Sequence, residues 1–387
     1  MTIVTLGLDL GKNWIHVVAL DAEGRIVLRR RVGRDRLLKQ TVNMPACLIG
    51  MEACCGAHHL GRALAAQGHT VRLMPPQYVK PFVKSNKNDY RDAEAGAEAV
   101  QRPTMRFVPP KSEAQLDLQT IHRVRQRLVG RRTALINQLR AILLERGITV
   151  PQRRRVLEAR LPAICADEED RLSPRVRHLI EDLRAEWGAL DGRIAAFDAE
   201  LAAAAKRDDA CRRLCEIPGI GALNASALVA AVGNGTAFEK GRDLAAWLGL
   251  VPREYSTGGK QRLLGISKRG NKYLRTLLVH GARAALPHLA ARDDALGIWL
   301  RRLIARVHRN VAVVALANWC GSPGGCSPAN AATARGPTSN LDGRHARETA
   351  NGTPLVCGHD SSDGRTVEPV SWKPGSKNGR TIRPWLL

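Results

Sequence analysis

The chain has 387 residues, with 60 Lys plus Arg against 36 Asp plus Glu and a formal net charge of +24. That length allows two or three cores, and the charge attracts polyanions and disfavours cationic partners, which puts nucleic acid first among the partner classes. Nine cysteines, none in a C-x-x-C pair, and an N-terminus without a signal-peptide pattern argue against a disulfide framework and for a reducing, cytoplasmic setting, and no apolar stretch reaches the roughly 18 residues that cross a bilayer.

In chain order, residues 3–8 are an apolar run, and 14–20 and 25–32 follow after short Gly-containing connections, the pattern of a three-strand antiparallel meander. A short helix over 34–41, a buried strand over 46–51, a helix over 58–67 and a strand over 70–74 come next, before a helix opening at Asn88. The order βββαβαβα is that of the ribonuclease H-like fold, so residues 1–111 are expected to form an α/β unit of that kind.

Residues 112–213 turn to Leu, Ala, Arg and Glu, with Leu116, Ile121, Leu128, Leu135, Leu139, Ile142 and Leu143 near heptad spacing. Breaks at 147–151 and 172–174 make this an expected antiparallel hairpin of long helices packed as a coiled coil. Residues 214–318 read as a mostly helical unit, opening with Pro218-Gly219-Ile220-Gly221 and an apolar helix over 223–232 and ending in basic amphipathic helices. Residues 319–387 are about one third Gly, Pro and Ser, lack apolar periodicity, and are expected to be disordered.

Four acidic residues stand out in the first ninety or so. Asp9 closes the first apolar run, Glu52 closes the fourth, and Asp89 and Asp92 lie three apart at the start of a helix. Singly, each reads as a turn or capping residue. Jointly, the meander sets the ends of the first and fourth strands side by side, and helical spacing puts Asp89 and Asp92 on one face. Carboxylates that close need a cation, and a pair of Mg²⁺ or Mn²⁺ ions about 4 Å apart would activate an attacking oxygen and stabilise a leaving one.

Other motifs are weaker. Residues 7–13 miss the Walker spacing by one residue and carry Asn13 in place of its hydroxyl residue, and the Leu8-Asp9-Leu10-Gly11 likeness to the first phosphate loop of actin-like ATPases lacks its second loop. Cys54, Cys55, His58 and His59 have zinc-ligand chemistry, but structural sites rarely draw all ligands from one helical turn. Gly219 and Gly221 resemble the hairpin of a helix-hairpin-helix, whose glycines bring backbone N–H groups close to a phosphate, with a plain helix-connecting turn as the alternative. Ser256 lies in a Gly-rich loop followed by Lys260, Arg262, Lys268, Arg269, Lys272 and Arg275. It could cap a turn or touch a phosphate; its hydroxyl is also placed where those cations would stabilise a pentavalent phosphate during attack on DNA.

With these residues in view, the chain resembles transposases of the insertion-sequence family one-ten, subgroup eleven-eleven. The resemblance covers residues 1–318 and rests on Gly7-Leu8-Asp9 with Lys12, Glu52-Ala53-Cys54, Asn88 to Ala93, Ile217 to Gly221, and Gly249-Leu250-Val251-Pro252 through Ser256 to Lys268-Arg269-Gly270-Asn271. It implies a RuvC-like domain whose Asp-Glu-Asp-Asp set is Asp9, Glu52, Asp89 and Asp92, and a C-terminal transposase domain whose nucleophile is Ser256, with Thr257 the less favoured hydroxyl. It further implies Mg²⁺ or Mn²⁺, DNA as substrate, a homo-oligomer (dimer or tetramer) with a site composed across protomers, and a structured noncoding guide RNA that pairs with donor and target DNA. A bacterial, nucleoid-associated location follows. The tail departs from the family pattern after Asn318, which suggests a frameshift. The competing readings are a junction-resolving metal nuclease in which water attacks, and a decayed copy that only binds nucleic acid.

Overall fold

The computed structural model describes residues 2–84, 88–166, 171–233 and 235–320. Five strands open the chain: β1 (Thr5–Leu10), β2 (Trp14–Leu20), β3 (Ile26–Gly33), β4 (Leu48–Glu52) and β5 (Thr70–Met74), in the sheet order β3-β2-β1-β4-β5. β1, β2 and β3 are antiparallel neighbours, whereas β4 joins β1 in parallel and β5 joins β4 in parallel. The crossovers carry helices α1 (Leu37–Thr41) and α2 (Ala57–Ala66). After β5 come the single turn α3 (Pro76–Val79), a 3₁₀ turn, and α4 (Asp89–Ala99). The order read from the sequence is therefore the order observed, with β1 displaced two residues toward its C-terminus.

Strand alternation divides the sheet into two faces. Leu6 and Leu8, Ile15 and Val17, Ile49 and Met51 are buried with Leu60 and Leu64 of α2 in one core. The opposite face carries Gly7, Val18, Leu20 and Gly50, and α4 lies across it through Ala93 and Ala97. A Cβ on Gly7 would run into the backbone at Ala93 and Ala97, and one on Gly50 into Gly96 and Val100. These two glycines let the helix settle directly on the strands, which sets where its first turn ends up.

Two long helices follow, α5 (Glu113–Leu144) and α7 (Pro174–Arg207), with α6 (Arg154–Ala166) between them. A capping box of Ser112 and Gln115 opens α5, and Ser173 with Pro174 opens α7. The ion pairs Arg125–Asp198 and Arg132–Asp191 run in opposite senses along the two helices, so α5 and α7 are antiparallel. Leu128, Leu135, Leu139 and Leu143 pack on Ile180, Trp187, Leu190 and Ile194. The sequence reading did not anticipate α6, which fills this core with Leu157 and Leu161.

The rest is helical apart from one hairpin: α8 (Asp209–Cys215), α9 (Ala222–Val232), α10 (Gly241–Leu248), β6 (Pro252–Glu254), β7 (Leu263–Ile266), α11 (Lys272–Ala290), α12 (Ala295–Arg306) and α13 (Arg309–Cys320). Buried His122 joins this part to α5, its ring nitrogens 3.1 Å from Tyr273 Oη and 3.1 Å from Ser226 Oγ. Ser226 donates to the Ala222 carbonyl, so His122 donates from Nε2 and accepts from Tyr273 at Nδ1. The last helix runs two residues past Asn318, with Trp319 packed against the core. The expected disorder and frameshifted origin of the tail otherwise fall on residues 321–387, outside the described residues. Among the described residues no helix is long and apolar enough to cross a membrane.

Candidate active site and nucleic-acid surface

Asp9 lies near the end of β1, on the Gly7 face of the sheet. Leu8 is opposite Met51 in the parallel pair, so Asp9 and Glu52 leave neighbouring strand ends on that same face. The Arg34 guanidinium donates to the Gly11 carbonyl at 2.9 Å and steadies the turn beyond Asp9. Helix α4 supplies the other two carboxylates. Asn88 caps it, its side chain accepting from the Tyr90 N–H at 2.9 Å, so Asp89 and Asp92 fall in the first turn. Because Gly7 and Gly50 seat α4 on the sheet, this turn arrives over the ends of β1 and β4.

The four carboxylates consequently gather at one end of the sheet. Oxygens of Asp9 and Asp89 lie within 4.8 Å of each other and of a ring nitrogen of His16. Glu52 faces Asp9 and Asp92, and its carboxyl is pushed above the usual range, first by burial and then by those two negative charges. Asp9 belongs to both groupings. A carboxyl pKa raised in this way marks a place where charge has been concentrated against its own repulsion, and such places are enriched at functional sites.

His16 was not singled out in the sequence, yet it is part of this cluster. It sits directly opposite Asp9 in the antiparallel β1–β2 pair, so both side chains leave the same face. The signal was present in the meander: counting outward from the turn pairs residue 16 with residue 9. The Cys54, Cys55, His58, His59 alternative for a metal dissolves in the fold. Both cysteines precede α2, and the His58 Nδ1 accepts from the Lys111 backbone N–H at 3.1 Å, with burial holding its pKa down at about 4.

Ser256 belongs to a different part of the chain. What reads in the sequence as a flexible loop is a short β6–β7 hairpin, with Gly258 and Gly259 in the left-handed region at its tip. All of β6 is exposed, as are Ser256, Lys260 and Arg262. The Ser256 hydroxyl donates to the Glu254 carboxylate at 2.6 Å, and Gln261 donates to the same oxygen at 3.3 Å. Those two hydrogen bonds hold the Glu254 carboxyl below its usual range. Sequence reading missed Glu254 because a two-residue spacing has meaning only in an extended strand, where both side chains leave one face.

The base of the hairpin is held tightly. Gly249 and Gly270, both with positive φ, let the end of α10 and the 268–270 turn come into backbone contact. Arg275 donates to the carbonyls of Leu248 at 2.8 Å and Arg269 at 2.9 Å, so its guanidinium clamps this junction. Lys268, Arg269 and Lys272 stand exposed beside it. The two glycines ahead of α9 also differ. Gly219 packs against the backbone of Gly281 in α11, its carbonyl accepting from Asn224, whereas Gly221 is exposed with open space where a Cβ would point.

Comparison with known proteins places this arrangement in a class. A DEDD transposase profile of IS110 elements matches residues 6–147, which include the carboxylate end of the sheet. The profile described as "Transposase IS116/IS110/IS902 family" matches residues 211–295, which include the Ser256 hairpin. A "Probable family 20 transposase" of Pseudomonas aeruginosa is 46% identical over 319 residues, spanning 82% of this chain and 94% of that protein. The "Transposase for insertion sequence element IS1111A" of Coxiella burnetii is 44% identical over 313 residues, 81% of this chain and 86% of its own length. The "Transposase for insertion sequence element IS1328" of Yersinia enterocolitica is 43% identical over 316 residues, 82% of this chain and 94% of its own length. The chain is a transposase, an enzyme that cuts and rejoins DNA. It belongs to the IS116/IS110/IS902 family of insertion-sequence transposases.

A DEDD transposase domain implies a divalent metal ion. The donor set here fits one: carboxylates of four residues converge, and beside them lies a buried imidazole nitrogen without a hydrogen-bond partner. Hard divalent cations take oxygen ligands of this kind.

Proposed function

We propose that this transposase cuts and rejoins DNA with Ser256 as nucleophile and with Asp9, Glu52, Asp89 and Asp92 as the ligands of Mg²⁺ or Mn²⁺. The observation that carries this reading is the meeting of two strand ends and one helix start, which sets four carboxylates together in an otherwise basic protein. When bound, the metal would polarise a phosphate oxygen and stabilise the charge of the leaving group. The residues of the chain do the rest. Glu254 orients the Ser256 oxygen through its hydrogen bond, and the exposed Lys260, Arg262, Lys268, Arg269 and Lys272 neutralise the phosphodiester as it becomes pentavalent. Attack by the Ser256 oxygen on phosphorus forms a serine–phosphate ester as the P–O bond to the departing strand breaks; serine loses its proton and the departing strand gains one as a free hydroxyl, so the phosphodiester energy is conserved and rejoining needs no ATP.

The sheet order β3-β2-β1-β4-β5, with acids at the ends of β1 and β4, supports a ribonuclease H-like, RuvC-type unit over residues 1–111. In the same reading, residues 112–213 form a coiled-coil spacer and 214–318 the transposase domain. The exposed Ser256 hairpin meets the carboxylates of another protomer in a dimer or tetramer. A structured noncoding RNA reads the DNA by base pairing, while the net charge of +24 grips backbones without regard to sequence. Gly221 fits a phosphate contact through its exposed backbone better than Gly219 does, and Arg275 contributes by clamping the hairpin base. Action on chromosomal DNA places the protein in the bacterial cytoplasm, at the nucleoid.

The test is to trap a covalent protein–DNA adduct with cognate DNA and RNA in the presence of Mg²⁺. The adduct is expected to vanish in Ser256→Ala and in Asp92→Asn while nucleic-acid binding persists. Unchanged strand cleavage by Ser256→Ala would instead establish water as the nucleophile, as in a junction-resolving nuclease.

A further inference from the structure

We propose that His16 is a nitrogen ligand of the same cation and that it biases the site toward Mn²⁺ over Mg²⁺; this rests on the reading of the carboxylate cluster as a metal site. Three observations converge on the residue. First, the β1–β2 register sets His16 directly across from Asp9, and side chains so paired have Cβ atoms about 4.5–5.5 Å apart on one face. Second, one ligand atom each from Asp9, His16 and Asp89 lies within 4.8 Å of the others. A single cation with bonds of about 2.0–2.4 Å can bridge such a set after small side-chain rotations.

Third, Nδ1 of His16 is buried and has no hydrogen-bond partner, although the Asp89 carboxylate is only 3.8 Å away. A buried polar atom left without a partner is destabilising, and in a native protein it calls for a cause such as a bound ion. The spacing is too long for a hydrogen bond, and it is short enough for one cation to take a ligand atom from each residue. The Tyr90 ring packs edge-on against the imidazole with centroids 4.8 Å apart, and the His16 side chain is only 15% exposed, so this orientation is enforced by packing. Tyr90 follows Asp89 in the first turn of α4, and the turn that brings the carboxylate also braces the imidazole.

The consequence is selectivity. Mg²⁺ demands oxygen ligands and keeps its waters, whereas imidazole is an ordinary ligand for transition-metal ions. A site of carboxylates alone would discriminate weakly between the two ions. Adding one neutral nitrogen favours Mn²⁺. His16→Gln keeps a polar side chain of similar reach and replaces the nitrogen donor by an amide.

The experiment uses the full chain without nucleic acid. Mn²⁺ is added, pulsed electron paramagnetic resonance detects ¹⁴N coupled to the bound ion, and calorimetry gives the affinities for Mn²⁺ and Mg²⁺. The expected result is a nitrogen coupling in the wild type that disappears in His16→Gln and in Asp9→Asn, with the Mn²⁺-to-Mg²⁺ affinity ratio falling about tenfold in His16→Gln. Mn²⁺ bound without nitrogen coupling in the wild type overturns the assignment and leaves the carboxylate site standing, and that measurement needs no variant to fold. Coupling that persists in His16→Gln places the nitrogen on another histidine and likewise overturns it. Mn²⁺ binding unaffected by Asp9→Asn brings down the metal-site reading itself.

Discussion

The carboxylate end of the sheet and the Ser256 hairpin solve opposite problems. At the first, three elements distant in sequence are driven onto one another by apolar burial, and the acids are carried along at their ends, Asp9, Glu52 and Asp92 half-buried and Asp89 exposed, with Asp9 and Asp92 repelling Glu52. At the second, a short ribbon projects with β6 fully exposed, and its internal order comes from backbone contacts at its base and the Glu254–Ser256 hydrogen bond. One is organised by the core and is expensive to disturb; the other is organised locally and is almost uncoupled from stability. A metal site needs fixed ligands, whereas a nucleophile that must reach a long polyanion needs access.

That contrast can be broken most severely at Ser256. Ser256→Ala should lower DNA cleavage by about 10⁴-fold or more yet change the stability to urea by no more than about 0.5 kcal/mol, both measured on the same preparation. Gly7→Val should do the reverse in kind. Its side chain would collide with the backbone of α4, costing about 3 kcal/mol or more in urea unfolding, and it should weaken metal binding because Asp89 and Asp92 are displaced.

The interior histidines sharpen the comparison through pH. Burial holds His122 and His58 down at about 4 against an ordinary 6.5. A depressed pKa contributes stability that is present above the unfolded value and lost as pH falls from 6.5 toward 4, by up to about 3 kcal/mol for each residue. Urea midpoints across that window should fall with acid, and His122→Leu should flatten the fall while lowering stability at pH 7, since Tyr273 loses its acceptor.

The smallest effect has the opposite sign. Glu52 titrates above its ordinary 4.5 in the folded chain, so its ionised form opposes folding. Stability is fully present below that ordinary value and declines as pH rises through the elevated one. In a chelator, Glu52→Gln should therefore stabilise the protein at pH 7, by about 1 kcal/mol at most after solvent screening, with the gain disappearing near pH 4. Added Mn²⁺ should reverse the order, because only the wild type gains from the ion.

Much of the first hundred residues was legible because alternation and capping are local. Strands 14–20 and 70–74 were readable to the residue, and Asn88 announced α4. The hairpin over 252–266 was not, because an exposed ribbon has no buried face to write a period of two into its sequence. Helix α6 escaped for a related reason: its two buried leucines contribute to a core shared with helices on either side. Arg275 looked like its exposed basic neighbours, and only the close approach of Leu248 and Arg269 reveals a clamp.

By itself the sequence determined that this is a basic protein with an α/β start, long helices and a helical continuation, and that Asp9, Glu52, Asp89 and Asp92 close or open regular elements. Periodicity and caps are properties of neighbours along the chain, and they survive without any fold. Tertiary structure alone decided that Gly7 and Gly50 would bed α4 on the sheet, that α4 would bring Asp89 within 3.8 Å of the buried Nδ1 of His16, and that Glu254 would accept from Ser256. Each of those depends on a distance across space, set by packing and register, which no pattern along the chain encodes.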